Sequence, residues 1–479
     1  MIVQTRGGVA LSSQPVGVSE LLSEAFEREL DEATDSRVRS DNSVQLLPSG
    51  AESFEHRWRM IEEAQHHIHI VAFSMMGDDT TKQLFDRLKL KLKAGVVVRI
   101  IVDDAVVYTT RMAPKLQELQ SEGAEVIRYH RIFRDLLPDL GRGHPFSQIA
   151  RIIKLKIKRR FHEKYMVVDG RQAILGGINW GDKYAYGGLR PKAWRDSDVL
   201  LGGPIVADIQ RQFVRDECLY RAMDQSYQER GTSGLDDPEL FLAARNRAAE
   251  FERTQSADYF PEPTSQGPAR LRYVPHKPYD EGKLRLSDAH LLLIRKARRY
   301  IYWGCHGIRP PRVLAETLAQ AVKRGVEVRL ITNSKRASRT LMFFGLLGWM
   351  YQESRKHFPW LLDHGIRVFE WQKPGAFHSK NLAIDDEVAS IGSYNVARGS
   401  TFHHTESNVI AFGGSLPVQV REQFEIDFAD CKEVSLKDFP KLPRDPMQRI
   451  IHVRNKLIRP ALLPESVHAD LEAGRFKTM

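Results

Sequence analysis

Two short segments of the chain carry the same three residue types at the same spacing. Both read H-x-K-x4-D: FHEKYMVVD (161–169) supplies His162, Lys164 and Asp169, and FHSKNLAID (377–385) supplies His378, Lys380 and Asp385. Side chains along a β-strand repeat every two residues, so the histidine and lysine of each copy share one face. A single copy is a weak signal, but two copies indicate a duplicated site.

The duplication extends beyond the two motifs. Gly176, Gly177 and Asn179 follow the first motif, and Gly392, Ser393 and Asn395 follow the second. In both copies the asparagine lies seventeen positions after the histidine. Further along, WRD (194–196) parallels HTE (404–406), which makes Asp196 the counterpart of Glu406. The sequence therefore predicts two related halves that each contribute one set of polar residues.

These residue types suit phosphoryl transfer. A neutral imidazole can attack phosphorus, while a second, protonated imidazole can give its proton to the leaving oxygen. Two lysines can hold the non-bridging oxygens of the phosphate, and Asn179, Ser393 and Asn395 can add hydrogen bonds to them. A carboxylate on the far ring nitrogen fixes an imidazole, so we assign Asp196 to His162 and Glu406 to His378. Such a reaction passes through a phosphohistidine and needs neither metal nor cofactor.

The elements around each motif follow one order. A strand at 66–75, a helix at 80–95 and a strand at 96–104 are predicted in the first half. The second half repeats them at 298–306, 313–325 and 326–334. Each set is a β-α-β unit with parallel strands and a right-handed crossover. One more strand, at 124–131 or 366–371, precedes each motif, so an α/β fold of two pseudo-symmetric halves is expected.

Composition changes along the chain predict five regions. They are an N-terminal extension with one amphipathic helix (1–48), a first half (49–230), a linker with a helix (231–275), a second half (276–435) and a basic C-terminal tail (436–479).

The overall charge favours a polyanionic partner. The chain has 479 residues, with 71 Lys+Arg, 61 Asp+Glu and a net charge of +10, which suits a phospholipid surface or a nucleic acid. Its three cysteines show no metal-ligand or disulfide spacing, which favours a reducing compartment. No signal peptide or membrane-spanning run is recognisable, so a cytoplasmic protein is expected.

The duplicated H-x-K-x4-D motif with G-G/S-x-N resembles the phospholipase D superfamily over about 50–230 and 276–430. The resemblance implies a two-domain α/β sandwich with its active site between the halves. It also implies that His162 attacks phosphorus, that His378 is the general acid, and that Asp169 and Asp385 hold the motifs together without touching phosphate. Because both motifs lie in one chain, a monomer is expected.

A basic segment, RIIKLKIKRR (151–160), directly precedes His162. It suits an edge strand protected by lysines, a cationic lip for anionic lipid head groups, or a nucleic-acid groove. Aromatic residues are not interleaved with its charges, which disfavours nucleic acid. Its positive field predicts a resting state with neutral His162 and protonated His378.

Two further stretches, GGINWGDKY (176–184) and WRD (194–196), resemble bacterial cardiolipin synthases and related phosphatidyltransferases. Those enzymes commonly have an aspartate at the place of Ala397 and a histidine at the place of Asp198, and many begin with membrane-spanning helices. The expected function is a cardiolipin synthase-like phosphatidyltransferase at an anionic membrane surface. Phospholipase D-type hydrolysis of phospholipid is the alternative, ahead of nucleic-acid hydrolysis. A catalytically silent lipid-binding module is disfavoured by the two intact His–Lys pairs.

Overall fold

The computed structural model describes residues 19–129, 158–230, 238–278, 282–339 and 346–439. Much of the basic segment (151–157) and most of the predicted tail (440–479) therefore lie outside the described residues. The strands within the described ranges are β1 Val38–Leu47, β2 His67–Ala72, β3 Val97–Asp103, β4 Glu125–Tyr129, β5 Arg160–Phe161, β6 Tyr165–Val168, β7 Gln172–Gly176, β8 Asp198–Gly202, β9 Ala269–His276, β10 Tyr300–Gly304, β11 Glu327–Asn333, β12 Arg367–Trp371, β13 Leu382–Ile384, β14 Val388–Gly392, β15 His404–Phe412 and β16 Cys431–Glu433.

The helices within the same ranges are α1 Glu24–Thr34, α2 Gly50–Glu63, α3 Asp79–Lys93, α4 Asp104–Thr109, α5 Ala113–Ser121, α6 Asp182–Ala185, α7 Ile205–Arg230, α8 Pro238–Thr254, α9 Arg285–Lys296, α10 Arg312–Lys323, α11 Lys335–Arg339, α12 Leu346–Arg355, α13 Phe358–Asp363, α14 Arg398–Phe402 and α15 Leu416–Ala429. Two short 3₁₀ turns, Glu20–Leu22 and Leu436–Asp438, complete the elements. None of the described helices is both long and apolar enough to cross a membrane.

The strands join edge to edge in an order that repeats about its centre. The path runs β16-β12-β11-β10-β13-β14-β15-β9-β1-β8-β7-β6-β2-β3-β4, and β5 pairs separately with β15. Read outward from the β9–β1 contact, both directions give the same succession of seven strands, and β16 adds one more at the edge of the second half. The described chain therefore contains two equivalent α/β halves, which confirms the predicted fold class.

The two predicted β-α-β units are confirmed. β2, β3 and β4 pair in parallel, as do β10, β11 and β12. α3 connects the first two strands and buries Leu84, Phe85 and Leu88, which recur at helical spacing on one face. Its first turn is capped by Asp78, whose side chain accepts a hydrogen bond from Thr81 N. The carboxyl ends of the parallel strands point toward the segments that carry the motif histidines.

The centre of the sheet contains two strands that the predicted boundaries had placed outside the halves. β1 falls in the predicted extension, and it pairs with β8 and β9. β9 falls largely in the predicted linker, and it pairs with β1 and β15. α1 packs through Phe26 and Leu30 into the apolar core of the second half. The first half therefore begins before residue 49 in the structure, and its N-terminal helix contacts the other half.

Three ion pairs, made by Arg195 and Lys277, connect the halves next to the motifs. Arg195 donates two hydrogen bonds of 2.8 Å to Asp427 of α15. Lys277, just after β9, donates to Asp216 of α7 at 2.8 Å and also contacts Glu163, the residue between His162 and Lys164. Removing one partner of such a buried pair typically costs about 3–5 kcal/mol, because a charge is left unpaired. These three ion pairs thus fix the relative position of the halves where the motifs meet.

Candidate active site

The segment carrying each motif histidine is hydrogen-bonded to the backbone of the other half. His162 follows β5, and its backbone N–H donates to Thr405 O at 3.1 Å. His378 precedes β13, and its backbone N–H donates to Arg195 O at 2.7 Å. The symmetry of these two bonds places the motifs side by side at the interface.

Each imidazole is paired with a carboxylate of the opposite half. His162 Nδ1 lies 2.8 Å from Glu406 Oε2, and His378 Nδ1 lies 2.5 Å from Asp196 Oδ2. The sequence-based pairing within each half, Asp196 with His162 and Glu406 with His378, was therefore wrong. The exchange arises because each carboxylate lies one residue beyond the backbone carbonyl that holds the other half's histidine. With Nδ1–H donated to a carboxylate, each Nε2 keeps a lone pair.

The two carboxylates are buried but differ in their surroundings. Glu406 Oε1 accepts a hydrogen bond of 2.5 Å from Ser400 Oγ and lies 3.6 Å from His404 Nδ1. Asp196 Oδ1 accepts from Ser197 N at 2.9 Å, and burial raises the pKa of Asp196 to about 6. A Cβ at Gly177 would lie 2.1 Å from Asp196 Oδ1. This close approach explains the glycine at that position.

Both motif lysines are buried beside their histidines. Lys164 Nζ contacts His162 O, and Lys380 Nζ contacts His378 O and lies 2.9 Å from His378 Nδ1. In the described residues, neither ammonium has a carboxylate within ion-pairing distance. Burial, followed by the charge of Lys380, lowers the pKa of Lys164 to about 7, and burial also lowers the pKa of Lys380. Asp196 and Glu406 oppose these shifts only from a distance, so two buried ammonium groups side by side favour an anion bound between them.

Both histidines favour the neutral form. Burial lowers the pKa of His162 to about 3, against the opposing effect of Glu406. Burial, then the charges of Lys380 and of the neighbouring His306, lower the pKa of His378 well below its usual value. The surroundings of His378 therefore disfavour the expected resting state in which it is protonated. A buried imidazole beside two lysines does not retain a proton until an anion arrives.

The predicted phosphate-binding side chains also hold neighbouring loops. Asn179 Oδ1 accepts from Ser74 N at 3.0 Å, and Asn395 Oδ1 accepts from His306 N at 3.4 Å. These contacts fix the segments after β2 and β10 in the same way. Ser393 Oγ accepts from Ser407 N at 3.0 Å and is buried. Of the three, Asn395 is the one that remains partly exposed.

The motif aspartates lie at the far ends of their strands. Asp169 accepts hydrogen bonds of 2.8 Å from the backbone N–H groups of Gln65, His66 and His67, at the start of β2. Asp385 accepts from Arg298, Arg299 and Tyr300 at 2.7, 2.9 and 2.8 Å. Both aspartates have left-handed backbone conformations, with φ of 54° and 59°. Their contacts are those of residues that hold the sheet together.

We expect Asp385→Ala to destabilise the fold rather than remove the chemistry. Three backbone donors would lose a charged acceptor, and alanine disfavours positive φ, so the free energy of unfolding should fall by about 2–4 kcal/mol. Asp385→Asn, which tolerates the backbone conformation and keeps an acceptor, should lose less. Thermal unfolding and the kcat of the remaining folded enzyme would be measured together. A normal unfolding midpoint with lost turnover would instead assign Asp385 to the reaction.

Aromatic side chains surround the two histidines unequally. The ring centroids of Trp194, Tyr184 and His306 lie 5.1, 5.5 and 5.4 Å from that of His378. Phe73 and His404 lie 4.7 and 5.4 Å from His162. The sequence analysis assigned no role to His404, Trp194 or His306. Trp194 and His404 each lie two positions before a carboxylate, Asp196 and Glu406, and this shared offset could have identified them.

One cluster has the spacing of metal ligands. The ligand atoms of His162, His404 and Glu406 lie within 4.8 Å of one another. Two of these residues already form the His162–Glu406 hydrogen bond, and Lys164 lies beside them. The positive charge of the lysine opposes a further cation at this place.

Known proteins resemble this chain along most of its length. A family model described as "Cardiolipin synthase, PLD-like domain" matches residues 58–213 and 291–428. Cardiolipin synthase 2 of Bacillus anthracis is 26% identical over 89% of this chain and 72% of its own length. The major cardiolipin synthase of Bacillus subtilis is 25% identical over 88% of this chain and 76% of its own.

The fold also matches a solved structure. Phosphatidylserine synthase of Haemophilus influenzae superimposes with a TM-score of 0.59 at 13% identity, covering 91% of this chain and 98% of that one. This likeness concerns the fold, and the family match concerns the residues that carry both motifs. The chain therefore belongs to the phospholipase D superfamily, as a member close to the cardiolipin synthases.

Proposed function

We propose that this protein is a phosphatidyltransferase that moves a phosphatidyl group from a phospholipid to an alcohol through a phosphohistidine. The observation that carries this proposal is the pair of crossed His–carboxylate contacts next to two buried lysines, neither of which has a carboxylate within ion-pairing distance in the described residues. A phosphodiester supplies the missing negative charge, and its non-bridging oxygens suit the two ammonium groups.

The first half-reaction uses the two histidines in different roles. The His162 Nε2 lone pair attacks phosphorus, the bond from phosphorus to the head-group oxygen breaks, and His378 gives that oxygen a proton. The arriving anion raises the proton affinity of the nearby imidazoles, so His378 can take up the required proton from solvent. Glu406 stabilises the positive charge that develops on His162.

The second half-reaction reverses these movements with a new alcohol. His378, now neutral, removes the proton of the acceptor hydroxyl as its oxygen attacks phosphorus. The phosphorus–nitrogen bond to His162 breaks and restores the free enzyme. Glu406, which also has Ser400 and His404 as neighbours, is the better-supported carboxylate, and this favours His162 as the nucleophile. Asn395 can reach the same phosphate from the exposed side.

The net positive charge of the chain favours a reaction at a membrane surface. A net charge of +10 favours an anionic phospholipid surface, to which the protein would attach peripherally as a monomer. Both His–Lys motifs lie in one chain, so one copy supplies the whole site.

We expect purified protein incubated with mixed phospholipids to form transfer products, and more of them when glycerol is added. Mass spectrometry would identify the products, and parallel samples with EDTA should give the same yield because lysines carry the phosphate charge. Phosphatidic acid as the sole product, with or without glycerol, would make the enzyme a hydrolase. Loss of activity in EDTA, restored by one divalent ion, would contradict the metal-free mechanism.

A further inference from the structure

We propose that Lys183 binds a phosphate group carried by the acceptor alcohol and so selects anionic over neutral acceptors. This inference rests on the proposed phosphatidyl transfer and adds a specificity residue outside the two motifs. Lys183 lies in α6, four positions after Asn179.

The ammonium group of Lys183 lies against the aromatic residues that flank His378. Lys183 Nζ is 4.0 Å from the ring centroid of Trp194 and 5.2 Å from that of Tyr184. Both rings contact His378, and their centroids lie 5.1 and 5.5 Å from its ring. The charge of Lys183 also contributes to the lowered pKa of His306, which burial mainly causes. Lys183 is thus one aromatic ring away from the proposed general acid.

This cation has no anionic partner in the described part of the chain. Burial lowers the pKa of Lys183 to about 8, and Asp78 is the carboxylate that opposes this shift. Asp78 is itself engaged by the backbone N–H groups of Asp182, at 2.8 Å, and Thr81, at 3.4 Å. Lys183 is half-buried, and its ammonium group lies against two rings rather than a carboxylate, so an incoming anion would gain an ion pair with it.

The second half repeats this arrangement without the cation. Gly399 lies four positions after Asn395, as Lys183 does after Asn179. His404 precedes Glu406 by two positions, as Trp194 precedes Asp196. A Cβ at Gly399 would lie 2.8 Å from the His404 ring, so the glycine packs where the lysine packs in the first half. The position that carries a lysine on the His378 side therefore carries a glycine on the His162 side.

The position of Lys183 on the His378 side of the site indicates which part of the substrate it binds. The phosphate that is transferred is held between Lys164 and Lys380, near both histidines. The leaving head group and the entering alcohol are the groups that exchange protons with His378, so they occupy its side of the site. A cation there would attract a second phosphate, as in the head group of phosphatidylglycerol or in glycerol 3-phosphate.

A competition between two acceptors tests the inference. Phosphatidylglycerol in detergent micelles would serve as donor, with equal concentrations of deuterated glycerol and glycerol 3-phosphate as acceptors. Mass spectrometry gives the ratio of the phosphate-bearing product to the deuterated product. Lys183→Met should lower this ratio about tenfold, the size of one charge-assisted contact. Lys183→Arg should keep it near the wild-type value, and Lys192→Met, which changes an exposed lysine in the same loop, should leave it unchanged.

The same samples distinguish the sources of the phosphate. Transfer from one phosphatidylglycerol to another reports recognition of a phosphate carried by a lipid. If Lys183 binds either kind of phosphate, Lys183→Met should lower the yields of this lipid product and of the glycerol 3-phosphate product together. A fall in the lipid product alone assigns the site to a lipid head group. The inference is overturned if Lys183→Met leaves the ratio of each phosphate-bearing product to deuterated phosphatidylglycerol unchanged. It is also overturned if Lys183→Met lowers all products, including deuterated phosphatidylglycerol, by the same factor. Absence of all three transfer products in the wild type, with phosphatidic acid formed instead, refutes the transferase function itself.

Discussion

Replacing either motif histidine should abolish turnover. His162→Ala removes the atom that bonds to phosphorus, and His378→Ala removes the group that protonates the leaving oxygen. For residues that act as a unit, each single change should lower kcat by about 10⁴-fold or more, and the double variant should be scarcely worse. Release of the lipid head group gives the rate, and thermal unfolding shows that each variant is folded.

The two histidine variants should differ with an activated donor. A nitrophenyl leaving group needs no proton, so His378→Ala should still release nitrophenol once and retain the phosphatidyl group on His162. His162→Ala should release none. Acid-free quenching and peptide mass spectrometry would locate the adduct. Near-normal activity in either variant contradicts the two-histidine mechanism, and an adduct on His378 in the wild type would exchange the two roles.

Replacing the carboxylates should expose the crossed pairing of the two halves. Asp196 contacts His378, and Glu406 contacts His162. Asp196→Asn should therefore behave like His378→Ala: turnover of the ordinary phospholipid is slow, and the nitrophenyl donor still releases nitrophenol. Glu406→Gln should behave like His162→Ala, and the nitrophenyl donor should not restore its activity. Each change should cost about 10²–10⁴-fold in kcat, because the imidazole loses its orienting and charge-stabilising partner.

The carboxylate variants test which carboxylate contacts which histidine, separately from which histidine attacks phosphorus. Each carboxylate variant is compared with the alanine variant of the histidine that it contacts, and this comparison is valid whichever histidine is the nucleophile. Ser400 donates a hydrogen bond to Glu406, so Ser400→Ala should slow the attack by His162 less strongly than Glu406→Gln does. If Asp196→Asn behaved like His162→Ala, the pairing in the structure would be contradicted.

Much of the architecture could be predicted because its determinants are local. The alternation around 66–75 and 298–306 and the helical spacing that follows need only neighbouring residues to be recognised. The duplicated motif spacing indicated two equivalent halves, and the sheet order has that symmetry. The strands β1 and β9 were harder to place, because a strand's partner across the sheet leaves little trace in its own sequence.

The electrostatics of the site could not be predicted from charge counts along the chain. The basic segment before His162 suggested a difference between the two histidines, yet burial lowers the pKa of both. Desolvation depends on what covers a side chain, and the covering residues come from distant segments such as Trp194 and His306.

The sequence by itself determined the chemistry available to this protein: two imidazoles, two ammonium groups and two carboxylates at repeated spacing. Only the tertiary structure decided which carboxylate serves which imidazole, because the interface exchanges them between halves. It also placed Lys183 beside His378 and a glycine at the equivalent place beside His404. Spacing along a chain defines sets of residues, whereas contacts between distant segments depend on how the two halves pack together.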